Sequence, residues 1–132
     1  MTLHTSARAL VCEDDALLAL DLERQLEDLG FEILGPFARQ SDALRALAAQ
    51  TPDVAVIDVE LADGACTRLA GLLRERGVPT LVVSGFHLSN PPPEYARALW
   101  LPKPLEPVAL RRALQRRSLP VSEESRTETT AG

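Results

Sequence analysis

Three short stretches of the chain are almost wholly apolar, without the alternation of a half-exposed strand. They cover residues 9–12, 54–57 and 80–83. Such runs are typical of parallel strands that are covered on both faces of a sheet. Weaker strand signals occur at residues 32–34 and 99–101. The pattern therefore predicts five strands, of which the three apolar ones are central.

Helical periodicity fills the intervals between these strands. Leucines recur at steps of three and four residues from Leu18 to Leu29, and Gly30 follows as a stop signal. Three further helices are predicted over residues 42–49, behind Ser41 as N-cap, over 66–76 and over 105–117. We expect the inward side chains of the second and last helices to be Leu44, Leu47 and Ala48, and Val108, Leu110 and Leu114.

The segment from residue 85 to 97 breaks this rhythm. It contains three consecutive prolines, Pro91 to Pro93, each without an N–H group and each disfavouring helix in the residue before it. Any helix between the fourth and fifth strands should therefore be short and late, or absent. Strands that otherwise alternate with helices along the chain predict an α/β fold with right-handed crossovers.

Composition limits the class of protein. At 132 residues the chain fits one domain, predicted over 8–117, with a polar and disordered tail over 118–132. The net charge of −5, with basic residues spread among acids, argues against nucleic-acid binding. Cys12 and Cys66 match neither a disulfide framework nor a metal-ligand spacing. The N-terminus lacks a signal core, and no stretch approaches the roughly 18 apolar residues of a membrane span. We expect a soluble, cytoplasmic protein.

Polar residues are concentrated where the predicted strands end. The five side chains in these positions are Glu13, Asp14, Asp58, Ser84 and Lys103. Because the carboxyl ends of parallel strands share one edge, where ligands bind in open α/β sheets, these residues should converge. Three crowded carboxylates repel one another, whereas a hard divalent cation with oxygen ligands neutralises them. The acids are therefore expected to hold Mg²⁺.

Five motifs in one order resemble the receiver domain of two-component response regulators. They are Glu13-Asp14, Asp58, Asp63-Gly64, Ser84 and Lys103-Pro104. The resemblance extends from about residue 9 to residue 117, and it implies a flavodoxin-like, doubly wound, five-stranded parallel sheet in the order 2-1-3-4-5. Helices would cover both faces, with a short or irregular fourth helix.

The resemblance also implies a role for each site residue. Asp58 would be the phosphoryl acceptor, and Glu13, Asp14, Asp58 and the backbone carbonyl of Glu60 would ligate Mg²⁺. Lys103 would pair with the phosphoryl oxygens, and the bond from Lys103 to Pro104 would be cis.

A second pair of residues would carry the response to phosphorylation. Ser84 would hydrogen-bond the phosphoryl group. Trp100, three positions before the lysine, would change its packing together with that hydroxyl; relatives usually carry a smaller aromatic residue there.

The expected function is that of a single-domain receiver. It resembles stand-alone receivers in its "SGF" and "LPKP" segments, and a histidine kinase or histidine phosphotransfer protein would supply its phosphoryl group. The downstream partner would be another protein, and a homodimer is left open. The arginines at 111, 112, 116 and 117 are interpreted as a solvated helix face, with a dimer or partner surface as the alternative.

Two other functions remain in view. A degenerate receiver would act as a phosphorylation-independent binding module, but the complete acidic, hydroxyl and lysine set argues against it. A hydrolase with an aspartyl-phosphate intermediate would need a further acid–base residue. Glu60 lies two positions after Asp58, but the nucleophile of such hydrolases ordinarily lies on the first strand, whereas Asp58 is predicted on the third, and no cap domain is evident. We therefore expect self-phosphorylation and autodephosphorylation only, not a turnover enzyme.

Overall fold

The structure is a computed structural model that describes residues 7–85 and 89–116. The predicted tail over 118–132, Arg117 and residues 86–88 of the proline-rich segment lie outside the described residues.

One parallel sheet organises the described chain. The strands are, in chain order, β1 (Arg8–Cys12), β2 (Glu32–Phe37), β3 (Val54–Ile57), β4 (Glu60–Leu61), β5 (Gly64–Ala65), β6 (Thr80–Ser84) and β7 (Leu99–Pro102). The sheet has the order β2-β1-β3-β6-β7, with every neighbouring pair parallel. The short strands β4 and β5 form a separate antiparallel hairpin. The predicted fourth and fifth strands correspond to β6 and β7, and the first three carry the same numbers. The predicted order 2-1-3-4-5 is therefore confirmed.

Within the described residues, four α-helices connect the strands. They are α1 (Ala16–Asp28), α2 (Gln40–Leu47), α3 (Thr67–Glu75) and α4 (Pro107–Arg116). Between β6 and β7, the residues that the structure describes form only a 3-10 turn, Pro93–Tyr95. The prolines at 91 to 93 explain this, because they withhold the N–H groups that a longer helix would need.

The core has two layers, one on each face of the sheet. One cluster contains Leu26 of α1 and Leu114 of α4 together with Val11 of β1. The other contains Leu69 of α3 together with Leu10 of the same strand. Because successive side chains of a strand point to opposite faces, β1 contributes to both layers. This explains why the central strands are apolar at nearly every position.

Helix α2 departs from its predicted start. It begins at Gln40, so that Ser41 lies inside the first turn and is not the N-cap. The carboxylate of Asp63, distant in sequence, accepts the first N–H groups of the helix instead. The buried face also differs from the prediction: Ala43 is buried, whereas Ala48, the C-cap residue, is exposed.

Helix α4 corrects two further predictions. Val108 is 44% exposed, whereas Arg111, assigned to the solvated face, is only 8% exposed. Leu110 and Leu114 are buried as predicted. The buried face is centred between Leu110 and Leu114, which brings Arg111 to its flank and turns Val108 outward. Arginine tolerates such a position because its aliphatic stem packs like an apolar side chain.

Candidate functional site

The carboxyl ends of four parallel strands meet at one edge of the sheet, and each supplies part of a polar cluster. Glu13 and Asp14 follow β1, Asp58 follows β3, Ser84 ends β6 and Lys103 follows β7. The backbone reinforces this arrangement, since the N–H of Asp58 donates to the carbonyl of Cys12 at 3.1 Å. The structure therefore brings all five residues to one edge.

Three carboxylates lie close together at this edge. One oxygen from each of Glu13, Asp14 and Asp58 lies within 4.8 Å of the others. Glu13 is buried, Asp58 is half-buried and Asp14 is exposed. Carboxylate oxygens are the ligands that Mg²⁺ prefers, and Mg²⁺ usually keeps several waters, which the exposed side of Asp14 permits. The donor set therefore fits a hard divalent cation.

Lys103 bridges two of these acids. Its Nζ donates to Asp58 Oδ2 at 2.7 Å and lies 2.9 Å from Glu13 Oε1, and its side chain is 20% exposed. The backbone N–H of Lys103 donates to the carbonyl of Ser84 at 2.9 Å. The peptide bond from Lys103 to Pro104 is cis. The ammonium group thus lies directly on the carboxylate of Asp58.

The two oxygens of Asp58 have different partners. Oδ1 accepts the N–H of Val59 at 2.6 Å, with the N–H of Glu60 at 3.5 Å, while Oδ2 accepts from Lys103. Two fixed donors leave the carboxylate little freedom to rotate. The orientation of Asp58 therefore depends on the backbone that follows it.

Burial and charge act against each other in this cluster. Desolvation raises the pKa of Glu13, and the hydrogen bond from Lys103 opposes that rise. Desolvation alone would lower the pKa of Lys103, but its hydrogen bonds to Asp58 and Glu13 outweigh burial and raise it. Lys103 is therefore a permanent cation at neutral pH, placed among acids.

Glu60 lies next to the cluster, in the hairpin that follows Asp58. It belongs to β4 and pairs with Ala65 of β5. The predicted role of its backbone carbonyl as a metal ligand stays a prediction.

Ser84 and Trp100 lie on the neighbouring strands β6 and β7. Ser84 is buried and stands opposite Pro102, and Trp100 stands opposite Val82. The ring of Trp100 is half-buried and packs against Tyr95, with centroids 5.5 Å apart and an interplanar angle of 54°. Burial raises the pKa of Tyr95 to about 12. Sequence reasoning singled out Trp100 but missed Tyr95, whose approach depends on how the 3-10 turn folds back.

Asp63 is the other residue whose role the sequence left undefined. Its motif was recognised, but its contact with α2 was not. The sequence carried no signal for this contact, because Ser41 is itself an acceptable N-cap residue.

None of the helices in the described part of the chain is long and apolar enough to cross a membrane.

Comparisons with known proteins agree with this architecture, although no family model matches the chain. A CheY-like receiver domain from Methylobacillus flagellatus superposes with a TM-score of 0.74 at 28% identity, covering 85% of this chain and 98% of that one. The regulator PhyR of Methylorubrum extorquens is 30% identical over 104 residues, which are 74% of this chain and 38% of PhyR. The transcriptional regulatory protein PdtaR of Mycobacterium tuberculosis is 31% identical over 83 residues, 60% of this chain and 39% of PdtaR.

The chain thus spans about two fifths of the length of either curated relative, 38% of PhyR and 39% of PdtaR. Its match to the CheY-like receiver, in contrast, covers nearly the whole of that domain. By fold, strand order and sequence, the chain is a receiver domain of the response-regulator family.

Proposed function

We propose that this receiver accepts a phosphoryl group on Asp58, in a Mg²⁺-dependent reaction, and signals by a change of conformation. One observation carries the proposal: Asp58 Oδ2 lies 2.7 Å from the ammonium of Lys103, inside a cluster of three carboxylates. A nucleophilic carboxylate that must approach an anionic phosphoryl group needs positive charge beside it.

The transfer uses the residues in distinct roles. A carboxylate oxygen of Asp58 forms a bond to phosphorus while the phosphorus–nitrogen bond of a phosphohistidine breaks. The leaving imidazole keeps the bonding electrons. Lys103 offsets charge on the phosphoryl oxygens, and the N–H of Val59 holds Asp58 in its orientation.

The metal would be held by Glu13, Asp14, Asp58 and the carbonyl of Glu60. When bound, Mg²⁺ supplies positive charge to the transferring oxygens and offsets the mutual repulsion of the acids. This agrees with the chemistry of the donor set, which consists of oxygen ligands only.

The response would pass through Ser84. Its carbonyl accepts the N–H of Lys103, so the hydroxyl-bearing residue and the phosphate-pairing residue share one backbone contact. A phosphoryl group on Asp58 offers new acceptor oxygens at this edge, and the hydroxyl of Ser84 would turn toward them. Trp100, packed on Tyr95, would change its surroundings as the end of β6 moves.

A protein donor is favoured by the surface beside the acids. Leu17, in the first turn of α1, is 79% exposed, and Val108 occupies the first turn of α4. Both helices begin at the edge that carries the site. A bound protein would bury these apolar side chains, which a small phosphodonor would leave exposed. We therefore propose a sensor histidine kinase or a histidine phosphotransfer protein as donor, and a second protein as recipient of the signal.

The test is the intact mass of the protein after incubation with Mg²⁺ and acetyl phosphate. We expect a gain of one phosphoryl group per chain in the wild type, none in Asp58→Asn, and a wild-type gain in the control Asp53→Asn, whose carboxylate lies at the opposite edge of the sheet. Stoichiometric labelling without sustained release of phosphate would support a switch and not a turnover enzyme. A labelled Asp58→Asn would refute the assignment. If neither acetyl phosphate nor a panel of histidine kinases labels the wild type, a phosphorylation-independent binding module is the better description.

A further inference from the structure

We propose that Asp63 is a positioning residue for the site: it anchors the hairpin that follows Asp58 and thereby orients the Asp58 carboxylate and the backbone of Glu60. This inference rests on the proposed function, because it concerns how the same site binds Mg²⁺ and transfers a phosphoryl group.

The anchor is a remote helix cap. Arg39 precedes α2 and makes no side-chain cap in the described structure. Instead, Asp63 Oδ1 accepts the N–H of Gln40 at 2.7 Å, and Asp63 Oδ2 accepts the N–H of Ser41 at 3.0 Å. The first N–H groups of a helix have no partner within the helix, and its positive N-terminal dipole attracts a carboxylate. The tip of the hairpin is therefore fastened to the start of α2.

A second bond carries the connection from α2 to α3. Gln40 Oε1 accepts the N–H of Leu69 at 2.9 Å, in the first turn of α3. Cys66 occupies the N-cap position of α3 without a side-chain cap of its own among the described residues. Asp63 thus caps one helix, and the residue that it holds caps the next.

Two backbone bonds close the arrangement around the hairpin. The N–H of Ala62 donates to Ala38 at 2.9 Å, and the N–H of Cys66 donates to Val59 at 2.9 Å. The hairpin itself pairs only two residues with two, which is too short to be stable alone. Its conformation therefore depends on these external bonds.

The same hairpin backbone holds the nucleophile. The N–H groups of Val59 and Glu60 face Asp58 Oδ1 at 2.6 and 3.5 Å. If the tip of the hairpin is released, these donors can move, and the carboxylate loses its fixed orientation. Groups outside the coordination sphere raise the affinity for the metal when they hold a ligating side chain in the right orientation.

The ionised state of the anchor is secured by its partners. The two backbone N–H groups from Gln40 and Ser41 hold the pKa of Asp63 below its usual range. The cap is therefore charged throughout the neutral range, although Asp63 itself is exposed to solvent.

Asp63→Asn tests the proposal, because it keeps the shape of the side chain and removes one acceptor oxygen and the charge. Two matched controls separate the effects. Asp42→Asn removes a charge from the first turn of α2 without touching the cap. Asp53→Asn removes a carboxylate that accepts the N–H of Arg8 at 2.7 Å, at the far edge of the sheet.

The readouts are the Mg²⁺ dissociation constant by calorimetry and the rate of labelling by acetyl phosphate, on variants shown to be folded. We expect Asp63→Asn to raise the dissociation constant about tenfold and to slow labelling, as loss of an orienting partner typically does. The two controls should stay within about twofold of the wild type, as for ordinary surface changes.

A dissociation constant for Asp63→Asn equal to that of Asp42→Asn would overturn the proposal, since charge alone would then account for the change. If Asp63→Asn does not fold, Asp63→Glu decides: it keeps the charge but displaces the carboxylate by one methylene from the N–H groups of Gln40 and Ser41. A weaker Mg²⁺ site in that variant supports positioning, and an unchanged site refutes it. A wild type that binds no Mg²⁺ and accepts no phosphoryl group would instead refute the proposed function.

Discussion

Replacing Lys103 by methionine should make the protein less stable, and the loss should depend on pH. The substitution keeps the length of the side chain but removes the ammonium from between Glu13 and Asp58. Glu13 is only 5% exposed, so without Lys103 its carboxylate would be buried beside other acids with no cation. Removing one partner of a buried ion pair strongly destabilises a protein, because the remaining charge stays desolvated and unpaired.

The size of the loss follows from the contacts. Lys103 makes two charge-assisted bonds, and each such bond contributes about 1.5–3 kcal/mol. Glu13 can escape its unpaired charge by taking up a proton. At pH 7, protonating a carboxyl with an ordinary pKa of about 4.3 costs about 3.7 kcal/mol, at about 1.36 kcal/mol for each pH unit. Burial of an unpaired Glu13 can therefore cost no more than this protonation, because Glu13 takes up a proton once its desolvation would cost more. We therefore expect the free energy of unfolding to fall by about 2–4 kcal/mol at pH 7.

The pH dependence has a definite sign. Burial raises the pKa of Glu13 above its unfolded value, so the folded state binds the proton more tightly. The contribution of Glu13 to the free energy of unfolding is therefore fully present below the pKa of Glu13 in the unfolded chain. It is lost as pH rises through the pKa of Glu13 in the folded protein. Without Lys103, the pKa of Glu13 rises further, so more stability is lost as pH rises. The difference in free energy of unfolding between the variant and the wild type should therefore widen from pH 5 to pH 7.5.

The assay is urea unfolding at both pH values, with a chelator present so that no metal replaces the missing cation. Arg45→Met serves as control, because Arg45 forms an exposed pair with Asp42 at 3.6 Å and its loss should cost less than about 1 kcal/mol. Added Mg²⁺ should restore part of the stability of Lys103→Met. A variant as stable as the wild type at pH 7.5, or a difference of equal size at both pH values, would refute the reasoning.

Two further substitutions test the packing. Gly35→Ala should reduce the free energy of unfolding by about 3 kcal/mol, because Gly35 has a φ of +109° and an added Cβ would lie 2.8 Å from the carbonyl oxygen of Val11. Thermal unfolding measures this loss of stability, and a loss below about 1 kcal/mol would show that the backbone adapts. Arg111→Met should instead stabilise the protein by about 1 kcal/mol, because the Nε of Arg111 is buried and finds no hydrogen-bond partner among the described residues; a midpoint of urea unfolding lower than that of the wild type would contradict it.

The parts of the fold that could be predicted are those encoded locally. Central strands are recognisable because a strand covered on both faces must be apolar at nearly every position, as β3 is. The convergence of Asp58 and Lys103 also followed from sequence, since the carboxyl ends of parallel strands share an edge. The prolines at 91 to 93 predicted, through a property of their own backbone, that the described residues between β6 and β7 form no α-helix.

What could not be predicted depends on contacts between distant residues. Ser41 was a reasonable N-cap by type, but Asp63 takes that role from across the sheet edge. Val108 and Arg111 were assigned to the wrong sides of α4, because the buried face of a helix is decided by what packs against it. Tyr95 reaches Trp100 only through the path of the 3-10 turn. None of these contacts leaves a pattern in the local sequence.

Lys103 is the only lysine in the chain, and it follows the last strand of the sheet, whereas its acidic partners follow the first and third. During synthesis, Glu13 and Asp58 therefore leave the ribosome well before the cation that neutralises them. A chain that ends before β7 would have to bury these carboxylates without compensation, which opposes closure of the sheet. The charge balance of the site thus links closure of the sheet to synthesis of its last strand, and we expect a truncated product to be more sensitive to proteases than the finished chain.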